Sequence, residues 1–250
     1  MTGLVLLCIS SCDAMSFFRK TLFPKVCRVT EQTSLNVVVF CLFGRKRDSA
    51  LQESCRSYPR QRQMVAKMMG VHSIEGGFTP EECDEIVIAK TVAPAREALL
   101  VGQNRDHNLR RSDLVWLDEV DGMAWVMERL IDVVRTSNRN WFDFDLREFA
   151  ESPQVASYDA TDGGHFTWHS DIGDGPMAQK RKLTLVAQLS KPERYDGGDL
   201  EVMPGAHIIA ANRTQGSITI FPSFHLHQVT PVSRGTRRSL TVWAHGPKFQ

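Results

Sequence analysis

At 250 residues, with 42% hydrophobic and 24% charged side chains, the chain has an ordinary globular composition and the length for one sizeable core with appendages. Its net charge of +1 divides unevenly, since residues 1–63 carry 10 Lys and Arg against 4 Asp and Glu while the remainder is mildly acidic. That balance lacks the basic footprint of a phosphate-backbone binder, so nucleic acid is not an expected partner.

Cys8, Cys12, Cys27, Cys41 and Cys55 lie near the N-terminus, Cys83 follows, and no cysteine comes later. No disulfide framework is expected, no C-x-x-C pair suggests a zinc finger, and a reducing, cytoplasmic location fits. The opening MTGLVLLCISSC lacks the basic start and small-residue cleavage site of a secretory signal. The apolar run at 35–43 falls short of the roughly 20 residues that span a bilayer. Residues 44–63, GRKRDSALQESCRSYPRQRQ, read as a linker or disordered stretch. Two regions are therefore expected: a basic, poorly packed leader over 1–63, with Met64, Met68 and Met69 as alternative starts beyond it, and one organised domain over 64–250.

Organised patterning begins at Gly76. Thr79 as N-cap, Pro80 at the first helical position and Glu82 three residues after the cap predict a helix, with Cys83, Ile86, Val87 and Ala89 on its apolar face. RRSDLVWLD alternates as a strand. A second helix is predicted over 122–137, with Trp125, Met127, Leu130, Ile131 and Val134 setting its period. FDFDLREFAESPQVASYDA reads as strand, turn and strand. Further strands are predicted at 182–189, 199–203, 217–221, 225–230 and 238–244, separated by Gly, Pro, Asn and Asp. Many short strands without helices between them predict a mainly β fold with flanking helices (α+β), an antiparallel double sheet of jelly-roll or cupin-like type.

The chemistry concentrates in two segments, YDATDGGHFTWHSD and FPSFHLHQVTPVSRGTRRSL. His169 and Asp171, two apart on an extended segment, point to one face, and His227 supplies a third ligand. Two imidazoles and a carboxylate with positions left open suit a non-haem Fe(II) oxygenase; a zinc hydrolase with the same ligands, or a silent binding module, are the alternatives. Arg237, ten residues after His227, can hold a carboxylate through paired hydrogen bonds, and Ser239 on the same face adds a hydroxyl. His225 is expected to be structural, and His165, His207 and His245 to be surface or hydrogen-bonded histidines. Phe221, Pro222 and Trp243 are assigned to the core and Arg234 and Arg238 to solvent. Trp168 should face away from the metal, and YDGGD reads as a tight turn.

Together GGHFTWHSD, RKLTLVAQLSKPERYDGGDLEV and FPSFHLHQVTPVSRGTRRSLTVWAHGP resemble the 2-oxoglutarate- and Fe(II)-dependent oxygenases of the prolyl 4-hydroxylase-like superfamily, and within it the PKHD-type hydroxylases. The resemblance covers about residues 74–247. It implies a double-stranded β-helix with His169, Asp171 and His227 as iron ligands and Arg237 holding the distal carboxylate of 2-oxoglutarate. It also implies that Tyr158 contacts the cosubstrate, whereas Gln188 stands where prolyl hydroxylases often have tyrosine. The implied reaction is oxidative decarboxylation of 2-oxoglutarate to succinate and carbon dioxide, coupled to hydroxylation of a C–H bond in a prolyl or proline-like, peptide or small-molecule substrate, with ascorbate as a reductant. Loops at 102–111 and 173–181 are expected to choose that substrate and to lie over the site as a mobile lid.

Overall fold

The computed structural model describes residues 70–92, 96–97 and 109–249. The leader over 1–63, the alternative starts at Met64, Met68 and Met69, and most of the loop at 102–111 lie outside the described residues.

Helix α1 spans Pro80–Val92 and begins on the predicted capping box. Thr79 Oγ1 accepts the Glu82 backbone N–H at 3.2 Å, and the Glu82 carboxylate accepts the Thr79 N–H at 2.9 Å, so two otherwise orphaned amides are satisfied. Cys83, Ile86 and Ala89 form its buried stripe. Helix α2 spans Ala124–Ser137. Its buried stripe is Val126, Leu130, Val134 and Ser137, rotated from the predicted face, so that Trp125 and Met127 only flank the core. Truncating Leu130 to alanine would cost roughly 2–5 kcal/mol.

The strands are β1 (His72–Ile74), β2 (Arg96–Glu97), β3 (Arg110–Arg111), β4 (Asp113–Trp116), β5 (Gln154–Asp159), β6 (His165–His169), β7 (Arg181–Gln188), β8 (Tyr195–Gly197), β9 (Leu200–Met203), β10 (Ile209–Ala210), β11 (Ile218–Pro222), β12 (Leu226–Val229) and β13 (Val232–His245). Among the described residues they form a major sheet in the order β1-β11-β7-β13-β5-β4-β2, with β8 added on β13, and a minor sheet in the order β10-β9-β12-β6-β3. Every pairing is antiparallel. This is the expected double sheet.

Alternation along the central strands divides their side chains between two environments. Leu183, Leu185, Ala187, Ile218, Ile220, Leu240 and Val242 face the helices and build one core with α1 and α2. The alternate residues Thr184, Val186, Gln188, Thr219, Phe221, Arg237 and Ser239 occupy the opposite face and are also buried. A strand buried on both faces cannot show apolar alternation over its whole length, which is why β7 reads RKLTLVAQ.

Two predicted elements are corrected. The first strand after Trp141 is instead a π-type turn over Asn138–Phe142 followed by irregular chain. The Asn138 amide donates to the Phe144 carbonyl and its oxygen accepts the Phe144 N–H, both at 2.9 Å, and these side-chain bonds replace a ladder. YDGGD is not a plain turn: Tyr195–Gly197 is an edge strand pairing with β13. Gly197 has φ +72, and a Cβ there would lie 2.1 Å from the Pro231 carbonyl oxygen, so only glycine fits.

Candidate active site

His169 closes β6 and His227 lies within β12. They are direct partners across the antiparallel pair, with ring centroids 4.1 Å apart. Asp171 stands past the end of β6, so strand alternation does not place it as expected. Its N–H donates to the Ser223 carbonyl at 2.9 Å, and its carboxylate Oδ2 accepts the Thr184 hydroxyl at 2.7 Å and the Trp243 indole N–H at 2.9 Å. The major sheet thus aims a carboxylate at two imidazoles of the minor sheet. The Nε2 atoms of His169 and His227 lie 3.7 and 3.5 Å from the Asp171 oxygens, and all three ligand atoms fall within 4.8 Å of one another.

The histidine tautomers follow from the backbone. His169 Nδ1 faces the Thr167 carbonyl at 2.7 Å and His227 Nδ1 faces the His225 carbonyl at 3.1 Å, so each Nδ1–H donates and each Nε2 presents its lone pair to the cluster. Burial, reinforced by His227, lowers the His169 pKa to about 3. This ring is neutral at pH 7, and its contact with Asp171 is not an ion pair. Burial alone would raise the Asp171 carboxyl, but His227, His169, Arg181 and the Trp243 indole hold it down at about 2. Two imidazole nitrogens and one carboxylate fit a divalent transition-metal ion, Fe(II) or Zn(II) by donor chemistry.

The pairing register moves from His227↔His169 to Val229↔Phe166, so Thr167 and Trp168 of β6 together oppose Gln228 of β12. This is a β-bulge at Thr167 and Trp168. It returns Phe166 to the side of His169, and the two rings stack with centroids 3.4 Å apart at 14°. Trp168 is half-buried. Such packing holds the His169 ring in one orientation.

A second layer secures Asp171. Arg181 Nη1 donates to the Asp171 backbone carbonyl at 3.1 Å, and the guanidinium lies 3.9 Å from the centroid of the Trp243 ring. The same guanidinium is forked against Glu151, at 2.7 Å from Nε and 2.5 Å from Nη2, and Glu151 contacts His245 Nε2 at 2.9 Å. Trp243 is therefore more than core: its N–H orients a cluster residue. Nothing in a lone tryptophan announces that role. Its partner, thirteen residues after Asp171 at Thr184, lies on a different strand.

Arg237 lies on β13, 2% exposed, and lines a cleft between the sheets with Gln188, Tyr195, Thr219 and Leu200. Its Nη1 donates to Ser239 Oγ at 3.3 Å, and its guanidinium sits 5.5 Å from the Tyr158 ring centroid. Burial lowers its pKa. No carboxylate forms an ion pair with it among the described residues. The structure thus brings Arg237, Ser239 and Tyr158 together. It adds Tyr195, whose sequence context reads as a turn, and Gln188 donates to its hydroxyl at 2.7 Å.

The structure also places the four other histidines singled out from the sequence. His225 is buried and lends its carbonyl to His227, His245 is buried against Glu151, His165 bonds the Gly163 carbonyl at 2.7 Å, and His207 is exposed. Phe221 packs against the His227 ring, and Arg234 pairs with Asp196 at the surface.

Residues 153–245 match the family model of the 2OG-Fe(II) oxygenase superfamily. The chain is similar to a PKHD-type hydroxylase of Acidovorax ebreus, 38% identical over 87 residues that are 33% of this chain and 38% of that protein. It is also similar to one from Pseudoalteromonas atlantica, 28% identical over 130 residues, 49% of this chain and 56% of the other. The matched part thus spans well under two thirds of these relatives. Among solved structures, the fold is similar to a prolyl-4-hydroxylase of Pseudomonas putida, with TM-score 0.58 and 18% identity over 74% of this chain and 100% of that one. It is likewise similar to a prolyl hydroxylase of Trichoplax adhaerens in complex with a hypoxia inducible factor peptide fragment, with TM-score 0.59 and 14% identity over 80% and 94%. Residues 153–245 are thus similar to the 2OG-Fe(II) oxygenases, a superfamily whose name implies Fe(II) and 2-oxoglutarate, and the fold is similar to that of the two prolyl hydroxylase structures.

Proposed function

We propose that this chain is an Fe(II)- and 2-oxoglutarate-dependent hydroxylase, with His169, Asp171 and His227 holding iron and Arg237, Ser239 and Tyr158 holding the cosubstrate. The observation that carries the reading is a cluster that could hold a metal ion together with a buried guanidinium that pairs with no carboxylate among the described residues. Thr184 touches Asp171, and Gln188, four residues along β7 on the same face, lines the Arg237 cleft. A molecule with a metal-chelating end and a carboxylate end can bridge them.

When bound, the iron and 2-oxoglutarate supply oxidative decarboxylation to succinate and carbon dioxide, coupled to hydroxylation of a substrate C–H bond. The chain's own residues bind and orient. Thr184 and Trp243 hold the Asp171 carboxylate toward the two imidazoles, and the Thr167 and His225 carbonyls keep the Nε2 lone pairs available. Arg237 pairs with the distal carboxylate, Tyr158 packs on its guanidinium, and Val186 and Leu200 keep water from that pair. The prolyl chemistry of the named relatives supports a prolyl or proline-like substrate, free or in a peptide, and ascorbate is a reductant of the same proposal. The catalytic domain is taken as 64–250 and its location as cytoplasmic. No helix among the described residues is long and apolar enough to cross a membrane.

A zinc hydrolase would leave Arg237 without a purpose, and a silent module would lack a ligand that His169, Asp171 and His227 provide. The test is anaerobic reconstitution with Fe(II) and 2-oxoglutarate, followed by the charge-transfer absorption and, after oxygen, succinate. Both signals are expected in wild type and absent from His227→Ala and Arg237→Ala. Iron-loaded protein that neither binds nor consumes 2-oxoglutarate would sink the proposal.

A further inference from the structure

Arg110 stands at the described end of the loop from which the sequence leads one to expect substrate choice, on β3 at the edge of the minor sheet. It is the direct cross-strand partner of Phe166, so the two side chains share a face. Its guanidinium carbon lies 4.6 Å from the centroid of the Phe166 ring, and that ring stacks on His169 with centroids 3.4 Å apart. A cation is thus joined to a residue of the metal-type cluster through a single aromatic ring. Phe166 also packs against the buried group of Leu114, Ala156, Tyr158, Val229 and Val232, so the shared face is the inner one.

Arg110 is half-buried, and its Nε donates to Ser112 Oγ at 2.9 Å, which sets the plane of the guanidinium and leaves the two terminal nitrogens for another partner. No carboxylate pairs with it among the described residues. Arg129, Arg135, Arg147, Arg181, Arg213 and Arg234, in contrast, each have one. Its neighbour Arg111 points the other way, as strand alternation requires, and donates to the Asp162 carbonyl at 3.1 Å. A planar cation held by a ring and a hydroxyl, with a fork of N–H donors unspent beside the cluster, is complementary to a carboxylate.

We propose that Arg110 binds the carboxylate of the prime substrate, and that this substrate is a free amino acid rather than a residue inside a peptide. The inference rests on the oxygenase reading above and names its substrate class. The reason is reach and charge. A carboxylate held one ring away from His169 is a few bonds from any carbon presented to the cluster, as the α-carboxylate of an amino acid is. Inside a peptide the same group is a neutral amide, which leaves the guanidinium unmatched.

The experiment is ligand-observed NMR titration of the full chain loaded with zinc(II) and 2-oxoglutarate, which needs no turnover. The probes are the common L-amino acids, their carboxamides, and N-acetylated, C-amidated tripeptides carrying Asp or Glu beside proline. Wild type is expected to bind at least one free acid about tenfold or more tightly than its carboxamide. Arg110→Met should erase that preference, Arg110→Lys should keep part of it, and Arg111→Met should leave it intact. The comparison of acid with amide in wild type depends on no variant folding. Free acids that bind no better than their amides, a preference that survives Arg110→Met, or tighter binding by the amidated tripeptides overturns the assignment. The oxygenase reading is scored separately in the same samples. It stands if 2-oxoglutarate binds wild type and not Arg237→Met, whatever Arg110 does; if 2-oxoglutarate does not bind wild type, both fall.

Discussion

The indole N–H of Trp243 donates to Oδ2 of Asp171 at 2.9 Å, joining β13 of the major sheet to the loop beyond β6 of the minor sheet. Thr184 reaches the same oxygen at 2.7 Å. Together they leave the carboxylate little freedom to turn away from the imidazoles. Trp243→Phe retains the ring packing and loses only the hydrogen bond. Its expected effect is a fall of roughly tenfold or more in Fe(II) affinity, measured by competition with a chelating dye, with melting temperature little changed. Unaltered metal affinity would mean that Thr184 alone positions Asp171.

Arg237 is a buried cation whose stabilising partner is expected from outside the protein. Replacing it with methionine should therefore separate stability from binding. Without 2-oxoglutarate the Arg237→Met variant should be more stable than wild type, by about 1 kcal/mol, because an unpaired buried charge is removed. Its 2-oxoglutarate affinity should fall by roughly a hundredfold, since hydrogen bonds to charged groups are lost. Denaturant unfolding with and without ligand measures both.

Gly198 has φ +63, and a Cβ there would lie 2.9 Å from Val232 Cγ2 and 3.0 Å from Arg237 Cδ. Gly198→Ala should destabilise by about 1 kcal/mol through the backbone. It should also displace the guanidinium and weaken 2-oxoglutarate binding by roughly tenfold or more. Unchanged cosubstrate affinity in a destabilised variant would show that the Arg237 side chain yields without leaving its place.

Acid sensitivity should trace to Glu151. Burial alone would raise its carboxyl, but the hydrogen bonds from Arg181 and His245 outweigh that and depress it from 4.5 to about 2. A carboxylate depressed in the folded state stabilises the fold above its ordinary pKa and loses that contribution as pH falls from about 4.5 to about 2. The contribution is on the order of 3 kcal/mol. Glu151→Gln should lower stability at pH 7 and flatten its dependence across that window, as read by urea unfolding at a series of pH values. An equally steep acid limb in the variant would assign it to other carboxylates.

Local features follow directly from the order of residues. Thr79, Pro80 and Glu82 start a helix because a capping box is satisfied within four residues, and Gly, Pro and Asn punctuation delimits the strands because turn chemistry is local too. The metal-type cluster was legible because β6 and β12 each bring their ligand in a short, chemically distinctive segment. Arg237 was singled out by its place ten residues after His227 in the same strand-rich segment. Other features depend on contacts between segments distant in the chain. The N–H of Trp243 meets an oxygen 72 residues away in sequence, and Tyr195 meets Gln188 and Arg237 from an edge strand that reads as a turn. The strand expected after Trp141 gave way to side-chain bonds from Asn138, whose partners no pattern of polarity displays. Periodicity records which face of a strand is buried. It does not record what the buried polar groups on that face are holding, because hydrogen-bond partners are chosen by the pairing of sheets.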